Sequence, residues 1–249
     1  MSAPATRLSV NLNKIALLRN TRQTGVPDVE KFGRIALAAG AGGLTVHPRP
    51  DRRHIRDEDV RSVARLMADY PAAEFNIEGY PGAGFLALVT DVRPTQCTLV
   101  PDAWDAVTSD TGWDIPGSRP LLERSVSMLK AAGIRVILFM DPSARMIERV
   151  PETGADGVEI YTGTYAAAFR RGTYREQLDQ CVAAAAKADQ LGLVVNAGHD
   201  LNLRNLPPLL SRASIHEVSI GHELTADALR SGFAATVRRY AAVVAKTVE

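Results

Sequence analysis

A single-domain α/β chain closed as a (β/α)8 TIM barrel, with extra helices, is the architecture predicted by three observations. The length, 249 residues, is close to that at which such a barrel closes as one unit, so the domain is expected to span 1–249. Helical patterns end four times at a glycine, Gly40, Gly133, Gly154 and Gly192, that turns the chain into an aliphatic run. Aliphatic runs of strand length number eight, separated by stretches that include helical patterns.

In order, the first run is Leu8 to Leu12 and the second Leu44 to His47. Gly40-Ala-Gly-Gly43 looks like half of a dinucleotide-binding loop but precedes a strand, so it reads as a cap and turn. Phe75 to Glu78 and Cys97 to Val100 follow, and Pro101 to Pro120 reads as a long loop after the fourth strand. Val136 to Phe139, Val158 to Ile160, Leu193 to Asn196 and Glu217 to Ile220 complete the set. Helix starts are expected at Asp57, at Asp141-Pro142 and at Thr173, the last opening an amphipathic stretch to Gln190. An open doubly wound sheet is the competing topology. It often carries a glycine-rich phosphate turn after its first strand, where this chain has Asn11-Leu-Asn-Lys14.

A formal charge of +1 leaves no global excess to hold nucleic acid or an anionic membrane, so any anion site must be local. The longest apolar stretches fall far short of the roughly 18 residues of a membrane span. Cys97 and Cys181 form no paired motif, and Met1 to Arg7 lacks the apolar core of a signal peptide, so a cytoplasmic protein is expected.

In such a barrel the chemistry belongs at the C-terminal strand ends. The residues that end the runs are polar: Asn11 and Asn13, His47 and Arg49, Glu78, Asp141, Glu159, Asn196 and His199, then Gly221-His222. Of five histidines, His47, His54, His199 and His222 lie just past strands, and His216, before one, reads as structural. Titratable groups gathered in one mouth shift each other's pKa toward working pH. The segment from His47 to Ile55 packs two histidines and three arginines into a short loop stiffened by two prolines and reads as an anion clamp, with Arg52 and Arg53 as surface residues or partners of Asp57 and Glu58. His47, Asp51 and His54 match no zinc spacing. The loops after strands seven and eight put glycines where backbone N–H groups can approach a second anion. Lys14 alone among five lysines follows a strand and is the one candidate for a Schiff base.

The strings Ser9-Val-Asn-Leu-Asn-Lys-Ile-Ala-Leu-Leu-Arg-Asn-Thr-Arg22, Thr45-Val-His-Pro-Arg-Pro-Asp-Arg-Arg-His-Ile55 and Val195-Asn-Ala-Gly-His-Asp200 resemble those of the pyridoxine 5'-phosphate synthase family. Phe75-Asn-Ile-Glu78, Leu99-Val-Pro with Val107-Thr108, Val158-Glu-Ile160 and Val218-Ser-Ile-Gly-His222 match in order, from about residue 8 to about 240. The resemblance implies a cytoplasmic octamer of TIM barrels. It would condense 3-amino-2-oxopropyl phosphate with 1-deoxy-D-xylulose 5-phosphate to pyridoxine 5'-phosphate, phosphate and water, with no metal or organic cofactor.

It further implies His47 and Glu78 as proton acceptors, His199 as proton donor and Glu159 as a stabiliser of transition-state charge. Arg49, His54 and Thr108, completed by Asn13 and Lys14, would hold the deoxyxylulose phosphate. Asn11, Arg22, Asp200, Gly221 and His222 would hold the amino-oxopropyl phosphate. The chain departs from many members at Asn13-Lys14, where they have Asp-His, and at Asp200, where they have Gly. A barrel aldolase or isomerase acting on phosphosugars, and a non-catalytic barrel that binds phosphorylated ligands, stand as alternatives from the residues alone.

Overall fold

The computed structural model describes residues 6–102 and 109–246. Eight parallel strands, β1 (Arg7–Asn11), β2 (Gly43–Val46), β3 (Glu74–Gly79), β4 (Gln96–Leu99), β5 (Arg135–Met140), β6 (Gly157–Tyr161), β7 (Val194–Gly198) and β8 (Glu217–Ile220), pair in chain order. The barrel closes where Arg7 to Val10 align with Glu217 to Ile220. Each strand overlaps its expected run, and closure excludes the open sheet.

Around it lie α1 (Asn13–Asn20), α2 (Val29–Ala38), α3 (Asp57–Met67), α4 (Ala83–Val92), α5 (Ile115–Ala131), α6 (Ala144–Ile147), α7 (Gly163–Arg171), α8 (Arg175–Gln190), α9 (Leu206–Leu210), α10 (His222–Ser231) and α11 (Phe233–Ala245). Among the described residues there are thus more helices than strands. The four capping glycines have φ of +101° (Gly40), +79° (Gly133), +78° (Gly154) and +71° (Gly192), the left-handed turn that a side chain resists.

Helix starts differ from expectation. Asp57 is the first residue of α3, and the cap is made by Asp59, whose carboxylate accepts the Arg56 N–H at 2.8 Å. The helix expected at Asp141 starts at Ala144 and the one at Thr173 starts at Arg175. Of the stretch Pro101 to Pro120 read as loop, Ile115 to Pro120 belong instead to α5, which the Asp114 side chain caps. Its prolines read as loop residues, yet Pro116 falls in the first turn, where the missing N–H costs nothing.

The aliphatic core lies between strands and helices, where Val10, Leu44, Ile77, Leu99, Val136 and Val158 are fully buried. The inside of the barrel is polar instead. Ser9, Thr45, Asn76, Gln96, Thr98, Asn196 and Glu217 are all buried. Gln96 donates to Glu217 Oε1 at 2.7 Å and accepts from Asn196 Nδ2 at 3.2 Å, and Thr98 donates to Asn76 Oδ1 at 3.1 Å. At the N-terminal end, Glu74 meets Arg135 at 2.7 Å and His216 at 3.2 Å, so His216 has the structural place expected of it. Burial pushes Glu217 up to about 8.

Close strand approach is enforced at Gly157, where a Cβ would lie 2.4 Å from the Val194 carbonyl oxygen and 2.8 Å from Ile137 Cδ1. The Val194 carbonyl is backbone and cannot swing aside. Gly157→Ala is therefore expected to cost about 1–3 kcal/mol, the scale of overpacking, read as a lower urea midpoint at unchanged m. A midpoint equal to that of the unmutated protein would show that β6 and β7 can part freely.

Candidate active site

The C-terminal strand ends enclose a cavity of about 440 Å³. From the first strand end come Asn11, Asn13 and Lys14. Asn11 Oδ1 accepts the Asn13 N–H at 3.0 Å, and Asn13 Oδ1 accepts the His47 N–H at 2.9 Å, so the first loop is tied to the second.

The second loop carries His47, Arg49 and His54, all buried. Its end is held by α1, since Asn20 Nδ2 donates to the His54 carbonyl at 2.8 Å and Arg19 pairs with Asp59. His54 Nδ1 accepts the Ile55 N–H at 2.9 Å, which leaves the proton of the neutral ring on Nε2. Arg49 is ion-paired with Asp102, whose Oδ2 also accepts the Ser109 hydroxyl at 2.7 Å. Arg52 meets Glu58 at 3.4 Å on the surface, as expected. Arg53 corrects its expected place: held by Asp51 at 2.5 Å, it lines the cavity.

Two buried carboxylates, Glu78 from β3 and Glu159 from β6, form part of the wall. Glu78 Oε2 lies 3.8 Å from His47 Nδ1. Burial, then the charge of Glu159, pushes Glu78 well above the carboxylate range, and burial raises Glu159 to about 7. Burial, followed by His54 and Arg49, holds the His47 imidazolium far below its ordinary range, and burial with Arg49 and Lys14 brings His54 down to about 4. Both rings are therefore neutral near pH 7.

His199 follows β7 with its ring against Phe139 at 5.2 Å and Tyr161 at 5.3 Å. Burial lowers its pKa, opposed by Asp200, Asp102 and Asp110. The backbone is left-handed at two successive residues, φ +81° at His199 and +57° at Asp200. The Asp200 carboxylate meets Arg170 at 3.4 Å, which offsets its charge. Gly221 precedes α10 and His222 opens it. A Cβ on Gly221 would stand 3.1 Å from that of Asn11, so the first and last loops touch here.

Thus His47, Glu78, Glu159, His199, Asn11, Asn13, Lys14, Arg49, His54, Asp200, Gly221 and His222 all line one cavity. Arg22 is exposed in the turn after α1 and does not reach that wall. Thr108 lies outside the described residues. Asp141, expected at the fifth strand end, is not on the wall either. Leu17, Ser109 and Ser219 line the cavity unforeseen, and Asp102 behind Arg49 was also missed. The signal for Asp102 was available: it follows the fourth run by two residues, at the one strand end to which no polar residue was assigned.

The description of a pyridoxal phosphate biosynthesis protein, PdxJ, fits the family model that matches residues 8–246. A pyridoxine 5'-phosphate synthase of Brucella anthropi is 51% identical over 242 residues, covering 96% of this chain and 99% of the relative. One of Brucella suis is 52% identical, covering 96% and 98%. A solved chain from Aquifex aeolicus VF5 superposes with a TM-score of 0.65 at 15% identity, over 97% of this chain and 94% of that one, a likeness of fold alone. A model matched over nearly the whole length, and relatives at this identity, make this chain a member of the PdxJ family of pyridoxal phosphate biosynthesis proteins.

Proposed function

We propose that this barrel is a pyridoxine 5'-phosphate synthase that condenses 3-amino-2-oxopropyl phosphate with 1-deoxy-D-xylulose 5-phosphate, releasing phosphate and water. The observation that carries it is the gathering of His47, Glu78, Glu159 and His199 in one mouth, between the Arg49–His54 clamp and the Gly221–His222 helix start. Joining an amine to a ketone, enolising, expelling phosphate and closing the ring each move a proton, so both acceptors and a donor are needed.

His47 and Glu78 accept protons, His199 donates one, and Glu159 stabilises positive charge as the imine forms. With its pKa lowered by burial, His199 gains proton affinity when a dianionic phosphate settles beside it, so the substrate itself loads the donor. Arg49, His54, Thr108, Asn13 and Lys14 hold the deoxyxylulose phosphate. Asn11, Asp200, Gly221 and His222 hold the other substrate, where N–H groups at the start of α10 suit an anion. No metal or organic cofactor takes part. The one barrel domain over 1–249 works in the cytoplasm as an octamer, for which the exposed Leu18, Val26 and Leu229 offer apolar surface.

Arg49→Lys tests the substrate assignment. It removes the fork that matches phosphate, and is expected to raise KM for the deoxyxylulose phosphate about 10-fold while leaving KM for the other substrate within about 2-fold. Equal rises for both would undo the division of the site. Borohydride added with a ketose phosphate is expected to leave Lys14 unmodified, whereas a trapped adduct on Lys14 would favour the aldolase reading.

A further inference from the structure

Thr162 occupies the N-cap position of α7, where a threonine hydroxyl ordinarily accepts a bond from the helix's own N–H groups, yet it makes no such bond. It is fully buried, and its Oγ1 lies 2.5 Å from the carbonyl oxygen of Gly198 and 2.6 Å from that of His199. A single hydroxyl proton is thus shared between two successive carbonyls, while the Thr162 N–H donates to Gly198 at 2.8 Å. The next carbonyl, that of Asp200, accepts from Asn205 Nδ2 at 3.0 Å. Asn205 is itself buried, and its own carbonyl accepts the hydroxyl of buried Tyr165 at 2.7 Å.

Three consecutive carbonyls are therefore gripped by buried donors, at the one place among the described residues where two successive side-chain-bearing residues have positive φ. That conformation persists only when the surroundings over-determine it. The direction of the His199 Cα–Cβ bond depends on it, because rotating either flanking peptide would swing the ring away from the cavity. α7 forgoes a hydroxyl cap on its own N–H groups so that this turn can be held.

We propose that Thr162 is a positioning residue for His199: its shared hydroxyl holds the left-handed turn that aims the imidazole into the cavity, and Asn205 braces the peptide after it. The kinetic consequence rests on the reading of His199 as proton donor. The orientation of the ring does not.

The test compares Thr162→Val, which keeps the shape and removes the hydroxyl, with Thr162→Ser, which keeps the hydroxyl. Thr162→Val is expected to lower kcat about 10- to 100-fold with KM for both substrates within about 2-fold, the cost of a displaced catalytic group, and Thr162→Ser to recover kcat to within about 3-fold. In parallel, the His199 ring nitrogens, assigned by their loss in His199→Asn, are followed by NMR across pH. Their shifts and titration should change in Thr162→Val and return in Thr162→Ser. A folded Thr162→Val with unchanged ring signals, or a Thr162→Ser as impaired as the valine variant, would overturn the proposal. Moved ring signals with kcat unchanged in both Thr162→Val and His199→Asn would uphold the positioning and instead remove His199 from the mechanism. Should Thr162→Val not fold, Asn205→Ala releases the next peptide, together with the Asn202 N–H that the Asn205 Oδ1 accepts at 2.7 Å. It is expected to move the same signals and lower kcat about 3- to 10-fold, and unchanged signals there would refute the idea equally.

Discussion

His199→Asn is expected to lower kcat by about 100-fold or more while leaving the fold and both substrate affinities largely intact, the scale of losing a general acid. Asparagine fills part of the space between Phe139 and Tyr161 and can still donate a hydrogen bond, but it cannot deliver a proton. Asparagine also tolerates a left-handed backbone better than most residues, so φ of +81° at this position does not by itself unfold the turn. The loss should therefore appear in kcat and not in KM, with an unfolding midpoint close to that of the unmutated protein. Unchanged turnover would remove His199 from the chemistry.

Glu78→Gln carries the second large effect, expected to be about 100-fold or more in kcat/KM, because the amide keeps the shape but cannot accept a proton. Its pH signature is specific. Burial and the neighbouring Glu159 charge raise the Glu78 pKa, so the carboxylate form required of a base is lost as pH falls through a value well above the ordinary carboxylate range. The unmutated protein should show an acidic limb so displaced, and Glu78→Gln should flatten the part of it that belongs to Glu78.

Stability moves the opposite way. A carboxyl with a raised folded pKa binds its proton more tightly folded than unfolded. Its stabilising contribution is complete below the ordinary glutamate value of 4.5 and is lost as pH rises through the folded value. At neutral pH the native protein thus carries the strain of two crowded carboxyls, and Glu78→Gln should melt at a higher temperature than the unmutated protein as it loses activity. A variant less stable at neutral pH, with an acidic limb in its usual place, would mean that Glu78 is an ordinary solvated carboxylate.

The strands were legible because burial between barrel and helices demands short aliphatic runs, and because Gly40, Gly133, Gly154 and Gly192 must adopt conformations that side chains resist. Helix starts were less so. At α3 the cap comes from Asp59 inside the helix, and Asp57, the residue that looked like a cap, is its first residue. The polar barrel interior could not be told from a solvent-facing surface either, since Asn76, Gln96, Asn196 and Glu217 alternate with apolar residues as on a half-exposed strand yet are buried.

Within the site, residues that end strands were readable from the topology alone. Those that act through the tertiary arrangement were not. Asp102 matters because it meets Arg49, 53 positions away in sequence, and Thr162 because its hydroxyl crosses from β6 to β7. Arg53 looked like a surface charge until the fold of its loop turned it toward the cavity. Such pairings depend on which strands become neighbours and in what register, information that periodicity does not carry.

The most direct measurement mixes chelator-treated protein with the two phosphorylated substrates and follows phosphate release together with the appearance of the pyridine chromophore. Both signals are expected to rise together, in equal amounts, only when both substrates are present. Phosphate released from one substrate alone, or bound phosphosugars with neither signal, would contradict the synthase reading and leave a barrel with anion sites in search of another reaction.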